Sequence, residues 1–166
     1  PQRRQSQRYQ RQLCRLRGYM GEVLHIKSPV DLRPILPANI EDVIHDAVRL
    51  LEPAVRRQSH NVSMDHIVYD LRNGLSLLWL AYVDGTAVAA VVTCIVKQPL
   101  RRNMKIEWMA GKNMHLWGSE ALSILTKVAK DAKLDAIETD ARKGFTKYAE
   151  AASFREMYTH FELELS

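Results

Sequence analysis

Only two cysteines occur in 166 residues, Cys14 in a basic stretch and Cys94 within an apolar run. Two thiols so placed cannot staple a disulfide-dense secreted domain or complete a zinc site by themselves, and they suit a reducing compartment. No apolar run approaches the roughly 18 to 20 residues that a bilayer-spanning helix needs, so a transmembrane helix and a membrane partner are not expected. The first residues lack an apolar core segment, so no secretory signal peptide is expected. Glycine and proline are scarce, at seven and six, which excludes collagen-like and Pro/Gly-rich disordered chains. What remains, with 46% hydrophobic and 26% charged residues, is the composition of one domain with a real core and room for an appendage.

Acidic residues are missing from residues 1–17, which hold Arg3, Arg4, Arg8, Arg11, Arg15 and Arg17. The other 18 of the 24 Lys and Arg face all 19 Asp and Glu, so residues 18–166 carry a net charge of −1. The inference from a basic protein to a nucleic-acid surface therefore applies to the tail alone. Gln2, Gln5, Gln7, Gln10 and Gln12 interleave with the arginines, and little is apolar before Leu13. Such a segment cannot offset its ordering entropy, so residues 1–22 are expected to form a basic arm, disordered when free, ahead of a domain at 23–166. The six arginines are the expected partner-binding residues, with bidentate contacts suited to other protein subunits or to nucleic acid. The alternative is a solvated terminus that keeps the protein soluble.

Residues 23–36 are extended in character, with Leu24 and Ile26 alternating with His25 and Lys27, and with Pro29 and Pro34 opposing a helix. They predict an edge strand followed by a loop. Asn39 suits an N-cap, and Ile40, Val43, Ile44, Ala47, Val48 and Leu51 recur on one helical stripe that Pro53 ends or kinks. A second helix starts at the cap Ser63 and stops near Asn73 and Gly74. Leu77–Val83 and Thr86–Val96 are apolar runs joined by Asp84-Gly85, a hairpin signal. A strand at Met104–Met109, a turn at Gly111–Asn113 and a helix at Leu116–Ala132 come next. A strand at Ala136–Thr139 and a short helix near Thr146–Ala152 follow, and the strict alternation of Met157–Leu165 predicts a half-buried antiparallel strand. One mixed sheet with helices packed on it, α/β (α+β) in class, accommodates this order.

Side chains with chemistry are sparse. His60 and His66 are not at i, i+4, and His25, His45, His115 and His160 are scattered, so no metal site is expected. Trp108 and Trp117 beside the Gly111 turn would wall a ligand groove or, as aromatics at such positions commonly do, fill the core.

Taken in order, Leu78-Trp79-Leu80-Ala81-Tyr82-Val83-Asp84-Gly85, Val88 to Thr93, Gln98-Pro99-Leu100-Arg101, Ala110-Gly111-Lys112-Asn113-Met114 with Trp117, and Gly144-Phe145 with Phe154 resemble the Gcn5-related N-acetyltransferase (GNAT) family. The similarity covers about residues 30–165 and is to the GNAT-like proteins encoded by tailed bacteriophages. It implies a mixed, mostly antiparallel sheet with helices on both faces. It also implies a site between two splayed strands, where acetyl-CoA lies along Met104–Met109 and its pyrophosphate meets Gly111, Lys112, Asn113 and Met114 at a helix N-terminus. Glu107 would be the base for the amine and Tyr148 the acid for the departing thiolate. The alternative for Glu107 is a solvent-facing strand acid.

One departure bears on function. Active members place small residues after the first glycine of this turn, where the chain has Met114, His115 and Leu116. With this degenerate loop, the resemblance implies a non-catalytic structural or assembly component of a phage virion, anchored by its arm, found in the virion or host cytoplasm and needing no cofactor. The alternative it implies is an acetyl-CoA-dependent N-acetyltransferase acting on a small amine or protein.

Overall fold

The computed structural model describes residues 30–58, 62–141 and 143–157. Within them a five-stranded sheet has the order β1 (Asp31–Ile35), β2 (Leu77–Val83), β3 (Thr86–Lys97), β4 (Arg102–Gly111) and β5 (Ala136–Thr139). Helices α1 (Ile40–Gln58) and α2 (Met64–Arg72) precede β2, α3 (Met114–Asp131) joins β4 to β5, and α4 (Thr146–Ala151) follows. Neighbouring strands are antiparallel except β4 and β5, whose parallel pairing requires the crossover that α3 supplies.

The sheet is mixed and mostly antiparallel, with helices on both faces, as expected. Because strand side chains alternate, Trp79 on β2 faces one way and Leu78 and Leu80 the other. On the Trp79 face, Trp117, Ala121, Leu125 and Val128 of α3 pack over Val91, Met104 and Ile106. On the opposite face, Ile40, Leu51, Ile67 and Leu71 of α1 and α2 cover Leu78, Leu80 and Val92. Burial on both faces is why β2 and β3 read as nearly continuous apolar runs.

Local chemistry holds where the sequence is explicit. Asp84 and Gly85 both have positive φ, 48° and 76°, as a two-residue hairpin turn of this type demands. Ser63 caps α2 in a box with His66, whose ring nitrogen lies 2.8 Å from the Ser63 hydroxyl. His66 is thus committed to a helix end.

Elsewhere the boundaries differ from expectation. The edge strand lies at Asp31–Ile35, in the stretch expected to be a loop, and Pro34 stands opposite Trp79. An edge strand needs pairing on one side only, so it tolerates a residue without an N–H. Asn39 lies within a turn of 3-10 helix, Pro37–Asn39, that leads into α1. α1 runs through Pro53 to Gln58 instead of ending there. An interior proline costs about 3 kcal/mol, and burial of Val55 two residues further on offsets it. β4 extends beyond Met104–Met109 at both ends, and α3 begins at Met114, not Leu116. The basic arm with its six arginines, the alternation at Leu24–Lys27, His60, and the strand expected at Met157–Leu165 apart from Met157 itself all lie outside the described residues.

Candidate active site

β4 and β5 pair only from Asn103–Ala136 to Ile106–Thr139, after which β5 ends while β4 continues to Gly111. The strands part there around a cleft of about 1300 Å³. Its walls are residues 106–109 of β4, Met114, Gly118 and Leu122 of α3, and Phe145 and Tyr148 at α4.

A register break shapes the β4 wall. Val92 of β3 stands opposite Trp108 and Thr93 opposite Ile106, which leaves Glu107 as the extra residue of a β-bulge. Ile106 and Met109 accordingly join the core on the α3 side and Trp108 the core on the α1/α2 side, yet all of them line the cleft. The bulge thus brings residues of both cores to one wall of the cleft.

Glu107 is half-buried, and its Oε2 accepts a 2.5 Å hydrogen bond from the Ser76 hydroxyl, itself only 6% exposed. Burial first, and then the Glu107 charge and hydrogen bond, push the Cys94 thiol up to about 12. Cys94 is therefore a neutral donor beside Glu107 and no nucleophile near neutral pH. Asp140, also on the cleft wall, pairs with Lys105 at 2.6 Å, and this bond is the main cause that raises the Lys105 ammonium above its usual range. Tyr148, 53% exposed, packs its ring 5.9 Å from that of Phe145. Ser76 was not legible beforehand, because it lies 31 residues from Glu107 in a connection without a motif. Among the described residues, no group of three or more His, Cys, Asp or Glu could hold a metal ion. No described helix is long and apolar enough to cross a membrane.

Of Gly111, Lys112, Asn113 and Met114, only Met114 lines the cleft. Gly111 closes β4, and a Cβ there would come within 2.6 Å of the Ala89 Cβ and 2.8 Å of the Val88 carbonyl oxygen. Its glycine is thus required by packing against β3. Gly111→Ala should destabilise the protein by about 1–3 kcal/mol, because backbone rather than a flexible side chain must yield; denaturant unfolding measures this, and an unchanged midpoint would refute it. The Lys112 N–H bonds the Val88 carbonyl at 3.4 Å, and the Lys112 carbonyl accepts from the Trp117 indole at 2.8 Å. Asn113 takes a left-handed φ of 53° to start α3.

The opening turns of α3 face the cleft through Met114, His115, Gly118 and Ser119. Helix-start amides without intrahelical partners carry partial positive charge and favour anions. Gly118 adds no side chain to that wall, Ser119 adds a hydroxyl, and Lys127 and Lys130 continue it with cations. These groups fit an elongated ligand with phosphates, such as acetyl-CoA, about one turn beyond the Gly111 turn.

No protein-family model matches the chain, and no curated protein matches it. Solved structures do match. An aminoglycoside acetyltransferase from an uncultured soil metagenomic sample, in complex with sisomicin, aligns with a TM-score of 0.63 and 15% identity over 82% of this chain and 97% of that one. A ribosomal-protein-alanine N-acetyltransferase from Brucella melitensis biovar Abortus 2308 aligns at 0.61 and 13% over 82% and 99%. A predicted acetyltransferase with acetyl-CoA from Clostridium acetobutylicum aligns at 0.57 and 17% over 81% and 96%. At such identities the likeness establishes the fold, which is that of the GNAT acetyltransferases. It gives no support to a place in a phage particle.

Proposed function

We propose that the chain is an N-acetyltransferase that uses acetyl-CoA, with its site in the cleft between β4 and β5. The observation that carries this reading is the cleft where β4 and β5 part, whose lining joins the opening turns of α3 to the Glu107 carboxylate, so that a phosphate-bearing ligand and a proton acceptor meet at one site. On the α3 side the wall offers helix-start amides and Lys127 and Lys130 for phosphates; on the other it offers the Glu107 carboxylate. Bound acetyl-CoA would supply an activated acetyl thioester. Met114, His115, Gly118 and Ser119 would hold its phosphates, and Leu122 and Phe145 would line its path with apolar surface. Glu107 takes the proton from an incoming ammonium or amine. Tyr148 carries a phenolic proton into the same cleft and is the candidate acid. Acceptors of two kinds are suggested by the structural neighbours, an aminoglycoside and an alanine of a ribosomal protein.

The non-catalytic virion role expected from the departure at Gly111 loses its ground. Gly111 serves β3 packing, and the backbone amides of Met114 and His115 open α3 at the cleft whatever their side chains, with Gly118 one turn on. The expected assembly partners rest on arginines outside the described residues.

Calorimetric titration with acetyl-CoA tests the proposal, supported by thermal shift and by thiol release with sisomicin or an alanine-initiated peptide as acceptor. Micromolar binding is expected, and a ligand at a hundredfold its Kd raises stability by about 2.7 kcal/mol. Absence of binding at millimolar acetyl-CoA would overturn the enzyme reading and leave the domain as a scaffold.

A further inference from the structure

We propose that Ser76 is a positioning residue for Glu107, its buried hydroxyl fixing the carboxylate on the β4 wall of the cleft. The inference rests on the acetyl-transfer reading of that cleft. Glu107 sits in a bulge without a partner of its own on β3, so the strand ladder alone does not set its direction. Its side chain has several rotatable bonds, and a misplaced reacting group loses rate steeply, by about a hundredfold per ångström. Something else has to hold it.

Ser76 is built to do so. The end of α2 delivers it: the Asp70 carbonyl accepts from both the Leu75 and Ser76 amides, at 2.9 and 3.4 Å, after Gly74 turns the chain with a φ of 65°. α2 is itself anchored by the Ser63 cap and by Ile67 and Leu71 in the core. The Ser76 hydroxyl is thus carried on a rigid element, and its 2.5 Å bond to Glu107 is in the range of a strong hydrogen bond to an ionised oxygen. Cys94 on β3 stands close enough to the same carboxylate for its charge to act on the thiol, so side chains from two elements converge on Glu107. A serine that only filled space between α2 and β2 would not aim its hydroxyl at the one carboxylate that the bulge turns into the cleft.

The test compares Ser76→Ala and Ser76→Thr in the full chain, in a Cys14→Ser background that leaves Cys94 as the single thiol. Ser76→Ala should lower kcat about tenfold with KM for acetyl-CoA unchanged, and Ser76→Thr, which keeps the hydroxyl, should restore most of it. A second readout needs no turnover. Iodoacetamide should alkylate Cys94 several-fold faster in Ser76→Ala at about pH 9.5, because a carboxylate no longer held beside the thiol ceases to oppose its ionisation. Wild-type kcat with wild-type alkylation in Ser76→Ala would overturn the proposal, as would a change in KM alone. If the wild type itself transfers acetyl to neither acceptor, the acetyl-transfer reading falls and the catalytic meaning of the Ser76 bond with it. An active wild type with an indifferent Ser76→Ala removes Ser76 only.

Discussion

Glu107→Gln is expected to lower acetyl transfer by about 10²- to 10⁴-fold while leaving the affinity for acetyl-CoA within about twofold of wild type. Glutamine matches the volume of glutamate, and its carbonyl can still accept from Ser76, so the bulge and the cleft wall survive the change. What is lost is the capacity to take a proton from the amine. The effect belongs in kcat, because the α3 wall proposed for the phosphates is formed by other residues. Cys94 supplies an independent control. The Glu107 charge is one cause of its thiol standing at about 12, second to burial, so removing that charge should lower the value without restoring that of a free cysteine. Faster alkylation of Cys94 in mildly alkaline solution would show that the substitution acted at this point. A variant with undiminished turnover would remove Glu107 from the mechanism.

Trp117→Ala should destabilise the protein by about 3–5 kcal/mol, the range for emptying a large aromatic site. Trp117 is 1% exposed and lies in the core beneath α3, beside Ala121 and Leu125. Its ring also ties the helix to the preceding turn through the 2.8 Å bond to the Lys112 carbonyl. Two contributions can be separated. Trp117→Phe keeps most of the apolar volume and loses the indole N–H, and Lys112 is exposed enough for water to replace that partner. The smaller variant should therefore cost about 1 kcal/mol. Chemical unfolding of both variants decides the matter; equal losses would mean that the bond, rather than the burial, holds α3 in place.

What could be read from the chain beforehand was the chemistry that acts over a few residues. Asp84-Gly85 dictates its hairpin because both positions need positive φ, and Ser63 starts α2 because its hydroxyl reaches back to an amide three residues on. Leu122, Leu125, Val128 and Ala129 fall on one helical stripe of α3, and all but Leu122, which lines the cleft, are buried. Tertiary structure overrode local preference at Pro34, admitted by a sheet edge, and at Pro53, retained because Val55 beyond it is needed in the core. Glu107 and Tyr148 both line the cleft, but no local pattern could reveal that Glu107 is the extra residue of a bulge there. Gly111 was misleading for a physical reason. A glycine after a strand can serve a turn, a ligand or a neighbouring strand, and only the distance to Ala89 identifies the third.

The short parallel ladder between β4 and β5 also bears on the order in which the molecule assembles. β2, β3 and β4 are joined by tight connections and can zip together from local contacts, whereas β5 reaches its place only after the whole of α3 has formed and folded back. Its four residue pairs close a loop that contains the whole of α3, as the five pairs of β1 and β2 close one that contains α1 and α2. Both outer strands therefore depend on contacts distant in sequence, which form later than local ones. A ligand that bridges α3 and the chain after β5 would act as a clasp, joining across the cleft what the short ladder leaves apart.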